Sequence, residues 1–246
     1  MCGRYSNAKD LSDLMKLVDV VMGVGFGPRY NICPTQSAPV ILIDKRPEVK
    51  LMRWGLIPAQ AKDETVGNSL INARSETLKT RAAFREAYAK RRCLIPADSF
   101  YEWKEREGKR QPFRVMFRSG EPFCFAGLWE RWIKPPMSGS EDTDLEEAPP
   151  SQTVESFTII TMQANPTIAR LHNRMPVILQ PEHYWWWLEN KPGQELFEAA
   201  LNNPAQEPLK IYPVSNLVNS PKIDDPRCIE PVQIDQDMFE KVWWGD

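Results

Sequence analysis

Apolar positions recur at two spacings along the chain, and the switches between those spacings lay out its elements. Between residues 10 and 22, Leu11, Leu14, Leu17, Val18 and Val21 fall at helical spacing, the mark of an amphipathic helix. Apolar or β-branched runs bounded by Pro and Gly predict strands over 39–44 and 49–54. The Arg- and Lys-rich segment 82–91 reads as a helix. Four runs follow, at 93–95, 100–104, 112–117 and 123–128, with turn signals at Gly108 and Gly120, and they predict an antiparallel meander. A strand over 157–162 comes next. Asn165-Pro166 supplies an N-cap and a first-turn proline for a short helix ending near His172. A buried strand over 177–179 precedes a helix opening at Pro181-Glu182 and carrying Trp185, Trp186 and Trp187. Strands outnumber helices and interleave irregularly, without an internal repeat. The expected class is α+β: one domain over 1–246, a mixed, antiparallel, barrel-like sheet and flanking helices.

Composition narrows the class. With 246 residues, 42% apolar and 26% charged, the chain has the makings of an ordinary soluble core. No apolar run approaches membrane-spanning length, and the start lacks a basic stretch followed by an apolar one, so a cytoplasmic protein without membrane association is expected. The 5 cysteines are odd in number and form no CxxC pair, which argues against a disulfide framework or zinc site. With His172 and His183 the only histidines, no metal is expected, and nothing calls for a cofactor. Net charge is −2, but residues 134–156 hold six acids and one Lys; taking their −5 from −2 leaves +3 on the rest. That Pro-, Ser- and acid-rich segment reads as a flexible surface insertion, and the remaining +3 permits a basic groove.

The chain opens Met1-Cys2-Gly3-Arg4-Tyr5. Loss of Met1 would leave Cys2 with a primary amine and a thiol on one carbon framework. The amine titrates near ~7.7–8.0 and the thiol near ~8.5 in peptides, so both have a nucleophilic fraction at neutral pH. Such an aminothiol closes a five-membered thiazolidine on an aldehyde, or serves as nucleophile and base in acyl transfer. Taken alone, Cys2 reads more simply as a small apolar residue on a first strand.

Three further stretches carry chemistry-bearing side chains. In 71–77, Asn72 and Arg74 sit two apart and point the same way on an extended chain. In 95–104, a strand would place Glu102 on one face with Phe100 and Lys104, where desolvation raises a carboxyl pKa and suits it to acid–base work. In 164–176, His172 and Arg174 stand at a helix end before a strand. Singly, each has a plainer account: Asn72 as a helix cap, Glu102 paired with Lys104 or Arg106, His172 favoured by a helix dipole, Arg74 and Arg174 as solvated charges.

Together, these stretches resemble the SRAP family, the SOS response-associated peptidases or abasic-site processing proteins. The likeness rests on Met1-Cys2-Gly3-Arg4-Tyr5, 30–36, Arg53-Trp54-Gly55-Leu56-Ile57-Pro58, 71–77, 92–96 with Phe100-Tyr101-Glu102-Trp103, and His172-Asn173-Arg174-Met175-Pro176, in that order from residue 2 to about 180. The resemblance implies a single α+β domain with a positively charged groove for single-stranded DNA containing abasic sites. Cys2, freed by autocatalytic loss of Met1, would capture the aldehyde as a thiazolidine crosslink. Asn72 would orient the amine, Glu102 would move protons, and His172 would assist sugar ring opening and reversal. Arg4, Arg74 and Arg174 would contact phosphates, and Trp54 would offer a stacking or wedge surface. A monomer is expected, acting at damaged replication forks if bacterial. Gln60 stands where many members have Trp, and Ser99 where Gly is common, a position implying a tolerant backbone.

Three other readings compete. Glutamine amidotransferases also begin Met-Cys-Gly, but the spacing of their oxyanion-hole and glutamine-holding residues is missing. A peptidase acting on other proteins and a noncovalent single-stranded DNA module are the others.

Overall fold

The computed structural model describes residues 2–20, 26–106, 108–135, 152–189, 198, 201 and 207–234. Over these the chain runs β1 (Tyr5–Asn7), α1 (Ser12–Lys16), β2 (Arg29–Ile32), β3 (Ser37–Ile43), β4 (Pro47–Trp54), β5 (Asn72–Arg74), α2 (Ala82–Lys90), β6 (Arg92–Ala97), β7 (Ser99–Arg106), β8 (Lys109–Phe117), β9 (Phe123–Ile133), β10 (Thr153–Gln163), α3 (Pro166–Ala169), β11 (Arg174–Pro176), α4 (Tyr184–Leu188) and β12 (Leu209–Pro213). Strands β10, β4, β3, β6 and β9 pair in that order, and β9 returns to β10, so five strands close into a barrel. A second sheet runs β12-β8-β7-β1-β2. The expected α+β class with a mixed, barrel-like sheet is the observed one.

Side-chain alternation divides the barrel strands between two cores. Ile41, Leu94, Ala126, Leu128 and Ile160 pack with Leu14 and Met15 of α1, Phe84 of α2 and Trp187 of α4. Their neighbours Val40, Leu42, Ile95, Phe125 and Ile159 share the other core with Tyr5, Phe100, Phe113 and Val115 of the second sheet. Gly127 belongs to this crowded side: a Cβ there would lie 2.0 Å from Ile95 Cδ1 and 3.0 Å from Thr158 O.

The predicted four-strand meander is corrected. Only β7 and β8 form a local hairpin, turning at Gly108 (φ 74°), while β6 pairs with β3 and β9 in the barrel. The chain changes sheet between Ala97 and Ser99, at the fully buried Asp98. Its carboxylate accepts from Ala8 N at 2.9 Å, Arg114 Nη2 at 3.3 Å and the Ser6 hydroxyl. A buried charge this well satisfied fixes the corner. Ser99 needs no special backbone: its φ lies outside the left-handed region, and its hydroxyl accepts from Arg114 Nε at 2.7 Å.

Helix positions shift as well. α1 stops at Lys16, and Asp19 turns left-handed (φ 49°), which swings Leu17 into solvent (54% exposed) while Leu11, Leu14 and Val18 stay buried. Val21 lies outside the described residues. Asn165 caps α3 as expected, accepting from Ile168 N at 2.9 Å. The turn 181–183 is 3-10 before α4, and Trp187 alone of the three tryptophans is buried. Of the acidic segment, Thr153–Ser156 belong to β10, and Lys134 N donates to Gln152 O at 2.9 Å; residues 136–151 lie outside the described residues. No helix among the described residues is long and apolar enough to cross a membrane.

Strand β10 sets up the site. One of its edges pairs in parallel first with Arg53 and Trp54 of β4, then with Asn72–Arg74 of β5. The intervening chain is pinched at its base by Leu56 N to Leu70 O at 3.2 Å. Gly55 makes the pinch possible: its φ is 122°, and a Cβ would sit 2.5 Å from Gly67 O.

Candidate active site

Cys2 lies just before β1 and is fully buried. Asn72, first residue of β5, donates Nδ2 to the Cys2 carbonyl oxygen at 2.7 Å. The Asn72 Oδ1 is buried and accepts no hydrogen bond. Burial pushes the Cys2 thiol well above its usual range, and the nearby Glu102 carboxylate adds to the shift. Glu102 stands on β7, 2% exposed, and burial raises its carboxyl from 4.5 to about 7. Desolvation of the charged form dominates both shifts.

His172 follows α3 and lines one cleft of about 410 Å³ with Gly3, Arg4, Glu102, Trp103 and Arg110. Its Nδ1 accepts the Arg174 backbone N–H at 2.9 Å, which puts the imidazole proton of the neutral ring on Nε2. Burial lowers its pKa, so the neutral form prevails at neutral pH. A second cleft of about 530 Å³ is lined by Ile71, Asn72, Arg74, Thr77 and Arg81. Asn72 thus touches Cys2 and also lines this second cleft, while Glu102, whose charge reaches the thiol, lines the first.

The four expected DNA contacts fall differently. Arg74 is exposed in the second cleft. Arg174 forks onto Glu76 at 2.7 and 3.0 Å and donates to Thr161 O at 2.6 Å, so a phosphate would compete with a carboxylate. Arg4 lines the first cleft with Nη1 held by Asn31 Oδ1, Cys33 Sγ and Val218 O. Trp54 as a stacking surface is corrected. It is fully buried, donates Nε1 to Ile71 O at 2.9 Å, and packs edge-on to Tyr5 and parallel to Phe157. Its alternation places it inward, in the core shared with the second sheet.

Sequence reading missed Trp103, Arg110 and Asn219 in the first cleft and Arg81 in the second. Strand alternation gave no signal for Trp103, since it turns adjacent residues to opposite faces. Its half-buried indole donates to Asn219 Oδ1 at 2.7 Å and carries the Arg110 guanidinium 5.9 Å from the ring centre. Asn219 comes from the far end of the chain and had no local signal.

The site thus joins a cysteine next to the chain start, an amide on its carbonyl and a near-neutral carboxyl beside its thiol on a barrel-based α+β fold. Residues 1–221 match the model of the SOS response associated peptidase (SRAP) family, and the chain belongs to that family. The abasic site processing protein YoqW of Bacillus subtilis (strain 168) is 39% identical over 236 residues, covering 94% of this chain and 99% of that protein. The abasic site processing protein HMCES of Gallus gallus is 30% identical over 243 residues, covering 85% of this chain and 68% of that one. Among solved structures, a Bacteroides thetaiotaomicron protein shares the fold at a TM-score of 0.78 and 22% identity, over 94% of this chain and 100% of its own. A Bordetella bronchiseptica protein gives 0.69 at 28% identity, over 87% and 100%.

Proposed function

We propose that this protein processes abasic sites in single-stranded DNA by capturing the open-chain sugar aldehyde on Cys2. The substrate follows from the relatives that carry the name abasic site processing protein. The observation that carries the chemistry is the Asn72–Cys2 bond, with a buried amide oxygen still lacking a donor. Hydrolysis of the Met1–Cys2 peptide bond frees the α-amine, and Asn72 Oδ1 accepts one of its N–H groups. The amine adds to the aldehyde carbon and water leaves, giving an imine. The thiol sulfur then bonds to the imine carbon while its proton passes through Glu102 to the nitrogen, closing the thiazolidine with no net change in oxidation state.

A thiol with so high a pKa does not ionise unaided, and Glu102 near 7 both accepts and returns a proton at neutral pH. Ring closure is intramolecular, with an effective molarity that can reach ~10⁵ M, so it outruns β-elimination from the same imine. Strand cleavage is then a minor side reaction. His172 assists opening of the sugar hemiacetal and reversal. Arg74 and Arg81 in one cleft and Arg110 in the other hold phosphates, contacts that fix the strand without reading its bases.

Intact mass spectrometry before and after incubation with an abasic oligonucleotide tests the proposal. The expected protein mass lacks Met1 and then gains the oligonucleotide less one water, and Cys2→Ala gains nothing. Failure of the wild type to gain mass, or persistence of the adduct in Cys2→Ala, would overturn it. Ammonia release from glutamine would instead indicate an amidohydrolase.

A further inference from the structure

Arg4 and Glu102 line the same cleft, yet the guanidinium is tied elsewhere. Its Nη1 donates to Asn31 Oδ1 at 3.0 Å, Cys33 Sγ at 2.9 Å and Val218 O at 2.9 Å. The Asn31 side chain is fully buried and cannot turn over. Its Nδ2 donates to Ser220 O at 3.0 Å and Ile223 O at 2.6 Å, so Oδ1 must face Arg4. Behind it, the Asp224 carboxylate accepts from Tyr30 N at 2.6 Å, from Asn31 N at 2.8 Å and from Arg29 Nε. The segment 218–224 is thereby fastened onto β2 and closes on the Arg4 guanidinium.

We infer that Asn31, backed by Asp224 and the Val218 carbonyl, is a positioning residue that holds the Arg4 guanidinium off Glu102 and so leaves that carboxyl able to take up and release protons. The inference rests on the acid–base role proposed for Glu102. A loose guanidinium beside a buried carboxylate forms a strong, forked ion pair. An opposite charge within ~4–6 Å lowers a carboxyl pKa by about 1–3, which here would take Glu102 out of the neutral range. The charged and titratable groups facing Glu102 are the chain's N-terminal amine, the Cys2 thiol, Arg4 and His172 in the cleft, and Arg110 from β8. Once Met1 is lost, the Cys2 amine takes the place of that N-terminal amine. Burial holds Glu102 up, and the charges drawing it down are the chain's N-terminal ammonium first and then the exposed Arg110, not Arg4.

The test follows the side-chain carboxyl resonance of Glu102 by 13C NMR across pH in the full chain, with Glu102→Gln identifying the signal. The expected midpoint is near neutral in the wild type. It falls by about 1–3 pH units in Asn31→Ala and returns to neutral in Asn31→Ala/Arg4→Gln, which has no cation to settle on the carboxyl. Asp224→Asn moves it the same way by less, and decides the question if Asn31→Ala does not fold. A midpoint that stays put in the folded variant, or that falls equally without Arg4, overturns the inference. Adduct formation is measured alongside: a wild type that forms none overturns the proposed function, whereas a wild type that forms it with an unmoved Asn31→Ala midpoint overturns the clamp alone.

Discussion

Asn72 Nδ2 donates to the Cys2 carbonyl oxygen at 2.7 Å, joining β5, on the barrel, to the start of the chain before β1 in the second sheet. The bond ties Cys2 to a residue whose own position is set by the β10 ladder. Replacing the amide with a methyl group therefore loosens the reacting atoms without touching the arginines that line the clefts. Asn72→Ala is expected to slow adduct formation by about 2- to 13-fold, the worth of one hydrogen bond of ~0.5–1.5 kcal/mol. DNA affinity, read by fluorescence anisotropy on an uncleavable abasic analogue, should change by less.

Glu102 is kept at a cost to stability that depends on pH. Its folded pKa, about 7, lies above the ordinary 4.5, so the folded state holds the proton more tightly. That contribution is complete below pH 4.5 and is lost as pH rises through 7. Glu102→Gln should therefore match the wild type in denaturant melts near pH 4 and exceed it by about 3 kcal/mol at pH 8. The same variant should form adduct at least ~100-fold more slowly, the lower end of general acid–base contributions.

Binding should depend on salt through Arg74 more than through Arg174. Arg74 is exposed and lines a cleft, so Arg74→Ala should reduce the slope of log affinity against log salt by about 1. Arg174 is neutralised by Glu76, and Arg174→Ala should alter the slope less while lowering stability. Equal slopes for the two variants would contradict this assignment.

Trp54 should behave as core. Trp54→Ala is expected to cost about 3–5 kcal/mol in chemical denaturation. Trp54→Phe, which keeps most of the ring and loses the bond to Ile71 O, should cost less and leave DNA affinity unchanged where the protein is folded.

The parts of this molecule that local pattern determines were legible in its sequence. The Asn165 cap, the β7–β8 hairpin and the barrel strands follow from spacing and turn residues. Glu102 was read as a carboxyl raised by its surroundings from strand alternation and the rings beside it, and burial does raise it. What could not be read depends on contacts distant in sequence. The sheet change at Asp98 is decided by Ser6 and Arg114, some 92 and 16 residues away. The resemblance implies Trp54 and Arg174 as DNA contacts; Phe157 and Tyr5 bury the one, and Glu76 engages the other. Asn31 lies in one of the resembling stretches but shows nothing of its hold on Arg4 until the fold brings Asp224 and Val218 beside it.

The two-part edge of β10 has a consequence for how this protein can vary. Because β4 and β5 dock on the same strand, and Leu56 and Leu70 close the chain between them, the excursion from Pro58 to Ser69 interrupts an otherwise continuous ladder, tied down by Trp132 Nε1 on Ala61 O and Arg53 on Asn68. A change of length at its exposed Lys62–Asp63 turn is expected to leave the Asn72 amide in register against Ile159. A single residue gained or lost within β10 has the opposite effect. It would slip the register on which Asn72 docks and is expected to loosen the Asn72–Cys2 bond.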